Sequence, residues 1–403
     1  MPNGAVKVIE KGARTPFCRV PQSGVCSDTP LAFDTPSNGG YVRSTDIEKD
    51  LSHIEGMTGR LEMVEDIVYI LGAGASYDAG GPLIRDFFSM KGRYDAKVYP
   101  AYFLNPSHPA DMKRYQLLLA TYSHWAQTTQ NPNIEIFFQS ISDRSVSGRT
   151  FYDPISGAKI DNERMKSSLI WYICAYIRHS IAAQINPPQY YNDFAHFLSK
   201  RKKHSTIISF NYDLVFENAL IKAGVGVNYR LDEGVHYVLE GEPKKLYTEG
   251  VPFLKLHGST NWWKCDTCDN FWVVGKRQIG RQYPKYKCWS NCTGQKIPVI
   301  IPPVKDKTPY LRPDNQLWKE ADKLLSRADR IIIIGYSVPE IDTASQELLK
   351  IHVRKLGYVD IIVRSAKTQQ DIAGRLGLDI MQVPLPYTAV PTSFRDFVKA
   401  IVT

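Results

Sequence analysis

Five short apolar runs, DIVYILGAG, STIISFNYD, PFLKLHGS, DRIIIIGYS and YVDIIVRS, punctuate this chain. Stretches with helical spacing, such as NQLWKEADKLLSRA and EIDTASQELLKIHVRKL, separate the later ones. Each run is too short for a core helix and ends in Gly, Asn, Asp or Ser, which is the pattern of a buried strand leaving the sheet. Strands that alternate with helices need crossover connections, and these place them side by side and parallel. The expected fold class is therefore α/β, with a Rossmann-like, mostly parallel sheet.

The interval between the first two runs does not follow this rhythm. DMKRYQLLLATYSHWAQ, NIEIFFQSISDR, MKSSLIWYICAYIRHSIAAQ and YNDFAHFLSKRKK all show helical spacing, so a helical insertion is expected over residues 87–203. The basic run SKRKKH at 199–204 reads as a solvated helix end before the next strand. Residues 1–60 mix Pro, Gly, Ser and Thr without periodicity and read as an irregular lead, with order beginning near Glu65. The remainder, 61–403, is expected to form one domain, closed by a helix in TSFRDFVKAIV with Thr392 or Ser393 as its cap.

No apolar run approaches the roughly 20 residues of a membrane span, and the N-terminus lacks the continuous apolar core of a secretory signal. The expected location is the cytoplasm, with no membrane association. There, clustered cysteines point to metal before disulfide. Of seven cysteines, four fall within 28 positions: Cys265-x-x-Cys268 and, 19 residues on, Cys288-x-x-x-Cys292. Two such knuckles can converge four thiolates on one zinc ion, filling every coordination position, so the site would be structural and not catalytic. A zinc-ribbon module is expected over 262–297. Redox exchange at one Cys-x-x-Cys would leave the second pair unexplained.

Three polar constellations stand at strand ends. In VYILGAGASYDAGGP, Gly72 and Gly74 follow the first strand, and a helix is expected from near Ser76. Glycine there permits positive φ and lets a phosphate approach the backbone, and a helix N-terminus adds free N–H groups. The same dipeptide could simply form a tight turn, and the full G-x-G-x-x-G fingerprint is absent. In IISFNYD, Asn211 and Asp213 follow the second strand, either facing a ligand crevice or capping the next helix. His257 in LKLHG ends a third, as a packed ring or as an acid–base group.

In order along the chain, GAGAS-x-x-x-Gly-x-Pro with Arg85, Asn211-x-Asp213, Leu256-His257-Gly258, the four-cysteine knuckle and Gly335-Tyr336-Ser337 resemble the motifs of the sirtuin (silent information regulator-like) family. The resemblance runs from about residue 64 to 365. It implies NAD as substrate, with the nicotinamide–ribose bond breaking through an oxocarbenium-like state. It also implies roles for individual residues. Gly72, Ala73, Gly74 and Ser76 would hold the pyrophosphate, Arg85 would lie in a mobile cofactor loop, and Asp213 would receive the nicotinamide amide. Asn211 would orient ribose and an attacking water, His257 would be the general base, and Gly335 and Ser337 would contact the adenosine half.

Departures from the deacylating members are as informative. Phe210 stands where they carry Gln, Leu83-Ile84 where they carry Asp-Phe, and Arg364 or Ser365 where they carry Asn. The changed loop weighs against acyl-lysine chemistry and makes water the expected nucleophile, giving nicotinamide and ADP-ribose. In this respect the chain looks more like the divergent NAD hydrolases of bacterial antiphage defence, whose helical part NIEIFF at 133–138 also resembles. The resemblance implies control by a regulatory protein or by assembly into a homo-oligomer.

Two other classes compete: an NAD or ADP-ribose sensor with the same fold, and a nucleic-acid-binding zinc ribbon. The latter draws on the chain's formal charge of +9 and on Lys264, Lys276, Arg277, Arg281, Lys285, Lys287 and Lys296, interleaved with Phe271, Trp272, Tyr283, Tyr286 and Trp289. The simpler expectation is that the ribbon's aromatics form its small core and its charges are solvated.

Overall fold

The structure is a computed structural model that describes residues 65–88, 109–182, 187–232, 234–239, 241–275, 288, 290, 292–302, 304–305, 316–357, 359–378 and 392–402. The N-terminal lead and the ribbon residues Lys276, Arg277, Arg281, Tyr283, Lys285, Tyr286, Lys287 and Trp289 lie outside these.

The chain enters through β1, Ile67–Leu71, all five residues buried. A single turn, α1 (Ala73–Ser76), and a 3-10 turn over Tyr77–Ala79 follow it. The helix expected from near Ser76 thus begins three residues earlier and stops at Gly80, whose φ of 84° leaves the helical region. Next come α2 (Pro109–Ala126), α3 (Ile134–Val146), α4 (Asn162–Ala182) and α5 (Tyr190–Lys200). β2 (Ser205–Ser209), α6 (Val215–Lys222) and β3 (Val227–Asn228) follow, then β4 (His236–Val238), α7 (Lys245–Thr248) and β5 (Val251–Lys255). A ribbon of β6 (Gly258–Cys265), β7 (Phe271–Val274) and β8 (Lys296–Ile300) precedes α8 (Gln316–Ser326), β9 (Arg330–Ile334), α9 (Thr343–Leu356), β10 (Asp360–Ile362), α10 (Ala366–Leu376) and α11 (Phe394–Val402).

Six strands form one parallel sheet in the order β10-β9-β1-β2-β5-β3. Side chains alternate between its faces. Ile67, Tyr69 and Leu71 enter a core with α5, α6 and α11, while Val68 and Ile70 enter another with α8, α9 and α10. Helices therefore cover both faces, which is why the five strands read as continuous apolar runs and not as alternating ones. The strand order reverses around β1: the chain moves from β1 to β2 on one side and later to β9 on the other, and such a switch point opens a crevice beyond the strands' carboxyl ends.

Within the stretch 87–203, α2, α3 and α4 share an aromatic core of their own, including Phe137, Phe138, Tyr172 and Tyr176. Helix α5 instead packs on the main sheet, with the Phe194 ring edge-on to Tyr69 at 5.4 Å between centroids. A second sheet, β4-β7-β6-β8, has Cys265 at the end of β6, with Cys268, Cys288 and Cys292 outside its strands, and Trp171 of α4 meets Trp263 of β6 at 5.5 Å. Phe271 and Trp272 are both buried, but only Trp272 joins the ribbon's small core with Trp263, Val274, Cys265 and Cys288; Phe271 packs with Trp262 in the core of the main sheet. At the C-terminal end of the described residues Ser393 caps α11: its hydroxyl oxygen accepts the Asp396 N–H at 3.2 Å. Among the described residues no helix is long and apolar enough to cross a membrane.

Candidate active site

A cleft of about 580 Å³ opens at the carboxyl ends of the parallel strands. Ala73 and Gly74 line it after β1, Asn211 and Asp213 after β2, His257 after β5, Gly335 and Ser337 after β9, and Arg364 after β10. The polar groups that are far apart in sequence meet here because each parallel strand ends on the same edge.

The glycine turn is held by the β9 exit loop. Gly72 N–H donates to the Ile334 carbonyl at 3.0 Å and Gly74 N–H to the Gly335 carbonyl at 2.8 Å. Gly72 has an extended backbone with φ −120°, so positive φ is not the reason for glycine there. A Cβ at Gly72 would collide with the Tyr336 backbone, and the glycine is required for that close approach. Neither Gly72 nor Ser76 lines the cleft; both stand immediately behind its wall.

Ser76, 1% exposed, joins the first two motifs. Its hydroxyl donates to Asp213 Oδ2 at 2.7 Å, and its oxygen accepts from Asn211 Nδ2 at 3.3 Å. Asn211 Nδ2 also donates to the Gly72 carbonyl at 2.9 Å. The amide nitrogen is thereby spent on the glycine turn, which fixes the flip and leaves Oδ1 as the acceptor end of a cleft-lining side chain. Asp213 Oδ1 accepts the Val215 N–H at 3.0 Å, so the carboxylate also initiates α6, the capping role open to it from sequence. Buried Lys255 braces the same turn: its ammonium donates to the Asp213 carbonyl and pairs with Glu217 Oε1 at 2.7 Å.

His257 sits two residues past β5 in an aromatic enclosure, with Phe210 at 5.0 Å and Tyr212 at 6.2 Å between ring centroids. The Phe210 ring stacks on Tyr336 at 4.3 Å, and the Tyr212 hydroxyl donates to the Ile301 carbonyl at 2.8 Å. Gly258, at φ 80°, takes the backbone past the Val299 carbonyl into β6, where a Cβ would collide.

Two carboxylates that sequence reasoning missed also line this end of the cleft. Asp342 Oδ2 lies 3.0 Å from His257 Nε2 and accepts the Tyr336 hydroxyl at 2.9 Å. Asp342 belongs to a segment legible only as helix; it is in fact the cap of α9, its Oδ1 accepting the Ser345 N–H at 3.3 Å. Glu135 is carried in by α3, whose start is fixed by Asn133 Oδ1 accepting the Glu135 and Ile136 N–H groups at 3.0 Å. Burial, then the charges of Glu135 and Asp342, push the Tyr212 hydroxyl far up; burial and Asp342 do the same for Tyr336. Both phenols stay protonated and act as donors near neutral pH.

The loop bearing exposed Arg85 is gripped by α4 through side chains one turn apart. Ser180 Oγ donates to the Gly80 carbonyl at 2.7 Å, Tyr176 Oη donates to the Asp86 carbonyl at 2.7 Å, and Tyr172 Oη accepts the Phe88 N–H at 3.0 Å. At the far end of the cleft, Arg364 pairs with both Asp78 oxygens at 2.5 and 2.6 Å.

No protein-family model matches the chain, and no curated protein matches it. Solved structures do: it is similar to Sir2 homologues. A Sir2 homolog–NAD complex aligns at 15% identity and a TM-score of 0.43, covering 91% of this chain and 96% of that one. A Sir2 homologue mutant bound to ADP ribose aligns at 15% identity and 0.40, covering 87% and 95%. Alignments this remote add nothing to the geometry of the cleft itself.

The ribbon cysteines converge apart from the cleft's polar groups. The sulfurs of Cys265, Cys268, Cys288 and Cys292 all lie within 4.8 Å of one another. Cys265 and Cys292 are 3.3 Å apart and Cys268 and Cys288 3.6 Å, beyond the ~2.05 Å of a disulfide and near the ~3.8 Å edge that four Zn–S bonds of about 2.3 Å imply. Backbone N–H groups of Thr267 and Cys268 point at Cys265 Sγ, that of Ser290 at Cys288 Sγ and that of Gly294 at Cys292 Sγ, which is how a protein supports thiolates. The four residues fit a closed tetrahedral metal site.

Proposed function

We propose that the chain is an NAD-consuming enzyme that hydrolyses NAD to nicotinamide and ADP-ribose, the chemistry implied by its resemblance to the sirtuin family. The observation that carries this reading is the meeting of the Ala73–Gly74 turn, Asn211, Asp213 and His257 in one cleft at a topological switch point. A dinucleotide laid there would have its pyrophosphate over the backbone of Ala73 and Gly74, its adenosine toward Gly335 and Ser337, and its nicotinamide near Asp213.

In the reaction the C1′–nitrogen bond breaks and its electron pair leaves with nicotinamide, neutralising the pyridinium. Water adds to C1′ of the oxocarbenium-like ribose and yields its proton to His257 and then to solvent. Asn211 Oδ1 would orient the ribose and that water. Arg85 would close the cofactor loop, and the four-thiolate zinc would fasten the ribbon without touching substrate.

Phe210 favours water over an acyl-lysine as acceptor. Its ring fills the space between His257 and Tyr336, where the deacylating members of the family carry a polar Gln. Unregulated turnover would drain NAD, so a regulatory protein or an oligomeric state would hold the enzyme in check, as expected of a defence effector.

The test is nicotinamide release from NAD by the purified full-length chain and by Asn211→Ala, each with and without an acetyl-lysine peptide. Release by wild type alone, independent of peptide, supports hydrolysis. Strict dependence on the peptide would replace it with deacylation, and stoichiometric binding without turnover would replace it with a sensor.

A further inference from the structure

His257 is held by a carboxylate to which the resemblance assigns no role. Asp342 is 1% exposed, and two donors reach it, the Tyr336 hydroxyl at Oδ2 and the Ser345 N–H at Oδ1, with His257 Nε2 3.0 Å from Oδ2. As a carboxylate, Asp342 can accept both of these bonds and still face the imidazole. Its backbone is anchored as well, the Asp342 N–H donating to the Pro339 carbonyl at 2.9 Å and the Gln346 N–H to the Asp342 carbonyl at 3.0 Å, so the side chain is positioned by the start of α9.

An ionised carboxylate can only accept, so the ring nitrogen facing it must carry the proton. In neutral His257 that nitrogen is Nε2, and the lone pair is left on Nδ1. The Ser345 hydroxyl, 3.5 Å from Nε2, completes the pocket around this nitrogen. We propose that Asp342 is the positioning residue for His257: it fixes the Nε2–H tautomer, presents Nδ1 as the base, and stabilises the imidazolium formed when Nδ1 takes a proton. The logic is that of a carboxylate–histidine pair in a hydrolytic triad, reached with a helix cap. It rests on the reading of His257 as general base.

Among the described residues, the titratable groups near the pair include Tyr336 after β9, Tyr212 after β2 and Glu135 on α3, with Cys174 on α4 close enough to act on Tyr212. Tyr336, Tyr212 and Cys174 are all raised, burial being the first cause in each, and so stay neutral near pH 7. Asp342 and Glu135 both line this end of the cleft, and Asp342 Oδ2 stands 3.0 Å from the ring nitrogen.

The test uses the full chain and its Asp342→Asn variant. By analogy with the carboxylate of a hydrolytic triad, kcat for nicotinamide release should fall on the order of 10³- to 10⁴-fold, while NAD affinity by calorimetry changes less than about threefold. The acid limb of the kcat/KM profile should move to lower pH, because the imidazolium loses its counter-charge. A variant that melts normally yet keeps wild-type kcat and an unmoved limb would overturn the proposal. Nitrogen-15 spectra of wild-type His257 give an arm independent of turnover: the Nε2–H tautomer supports the proposal and the Nδ1–H tautomer overturns it. If the wild type releases no nicotinamide, the hydrolase reading fails while this spectrum still decides the role of Asp342.

Discussion

The Ser76 hydroxyl donates to the Asp213 carboxylate at 2.7 Å, spanning 137 residues of sequence and joining the glycine turn to the β2 exit. Asn211 donates to the same hydroxyl, so two side chains of the second motif share one oxygen of the first. Ser76→Ala would leave Asp213 Oδ2 without that donor in a buried wall. The expected loss is about 2 kcal/mol in urea unfolding, the usual worth of a bond to a charged group, with a fall in nicotinamide release as Asn211 loosens. An unchanged unfolding midpoint would show that the hydroxyl bond is dispensable.

Metal analysis of the purified chain should return one zinc per molecule, bound by Cys265, Cys268, Cys288 and Cys292. Folding of such small modules is coupled to the metal. Chelation, or Cys265→Ser, should therefore expose the ribbon tryptophans Trp263 and Trp272 and red-shift their fluorescence. A chain that is metal-free as purified and shows no change with chelator would exclude this account.

Burial alone would raise the Asp78 carboxyl, but the Arg364 guanidinium and the Tyr190 hydroxyl bonded to it offset this and hold it below the usual carboxylate range. A depressed folded-state pKa contributes stability that is present above the unfolded-state value and is lost as pH falls through the folded one. Acid unfolding of wild type should therefore include an Asp78 component on the low-pH side of ordinary aspartate. Asp78→Asn should flatten that part of the curve, with a small effect at neutral pH because the pair is largely solvated. Superimposable wild-type and variant acid curves would refute the assignment.

Tyr176 donates to the Asp86 carbonyl and Tyr172 accepts from Phe88, so α4 sets the position of the loop that carries Arg85. Tyr176→Phe keeps the ring and removes one bond, worth about 1 kcal/mol. The expected outcome is a severalfold higher KM for NAD, with faster hydrogen exchange at residues 83–88 and an unchanged zinc content. Equal exchange rates in this loop would disconnect it from α4.

Periodicity was enough for the parallel sheet, because strands buried on both faces must be apolar throughout, and that signal is local. The cysteine knuckle was legible for the same reason: metal geometry dictates spacing within each pair. The short strands β3 and β4 and the pairing of the ribbon gave no comparable signal, since two- and three-residue strands are defined by their neighbours. A glycine pair after a strand suggests backbone freedom, whereas Gly72 is there to let Tyr336 approach. Asp342 reads as part of a helix, and nothing local distinguishes a cap that also meets a histidine 85 positions earlier.

The sequence by itself determined that this chain alternates strands and helices, places Gly72, Asn211 and His257 at strand ends, and clusters four thiols. Only the tertiary structure decided which of these groups meet. Ser76 became the joint between motifs, α4 the grip on the Arg85 loop and Asp342 the companion of His257, because contacts across a parallel sheet depend on strand order. That order is set by the packing of both faces at once, and no single stretch of sequence encodes it.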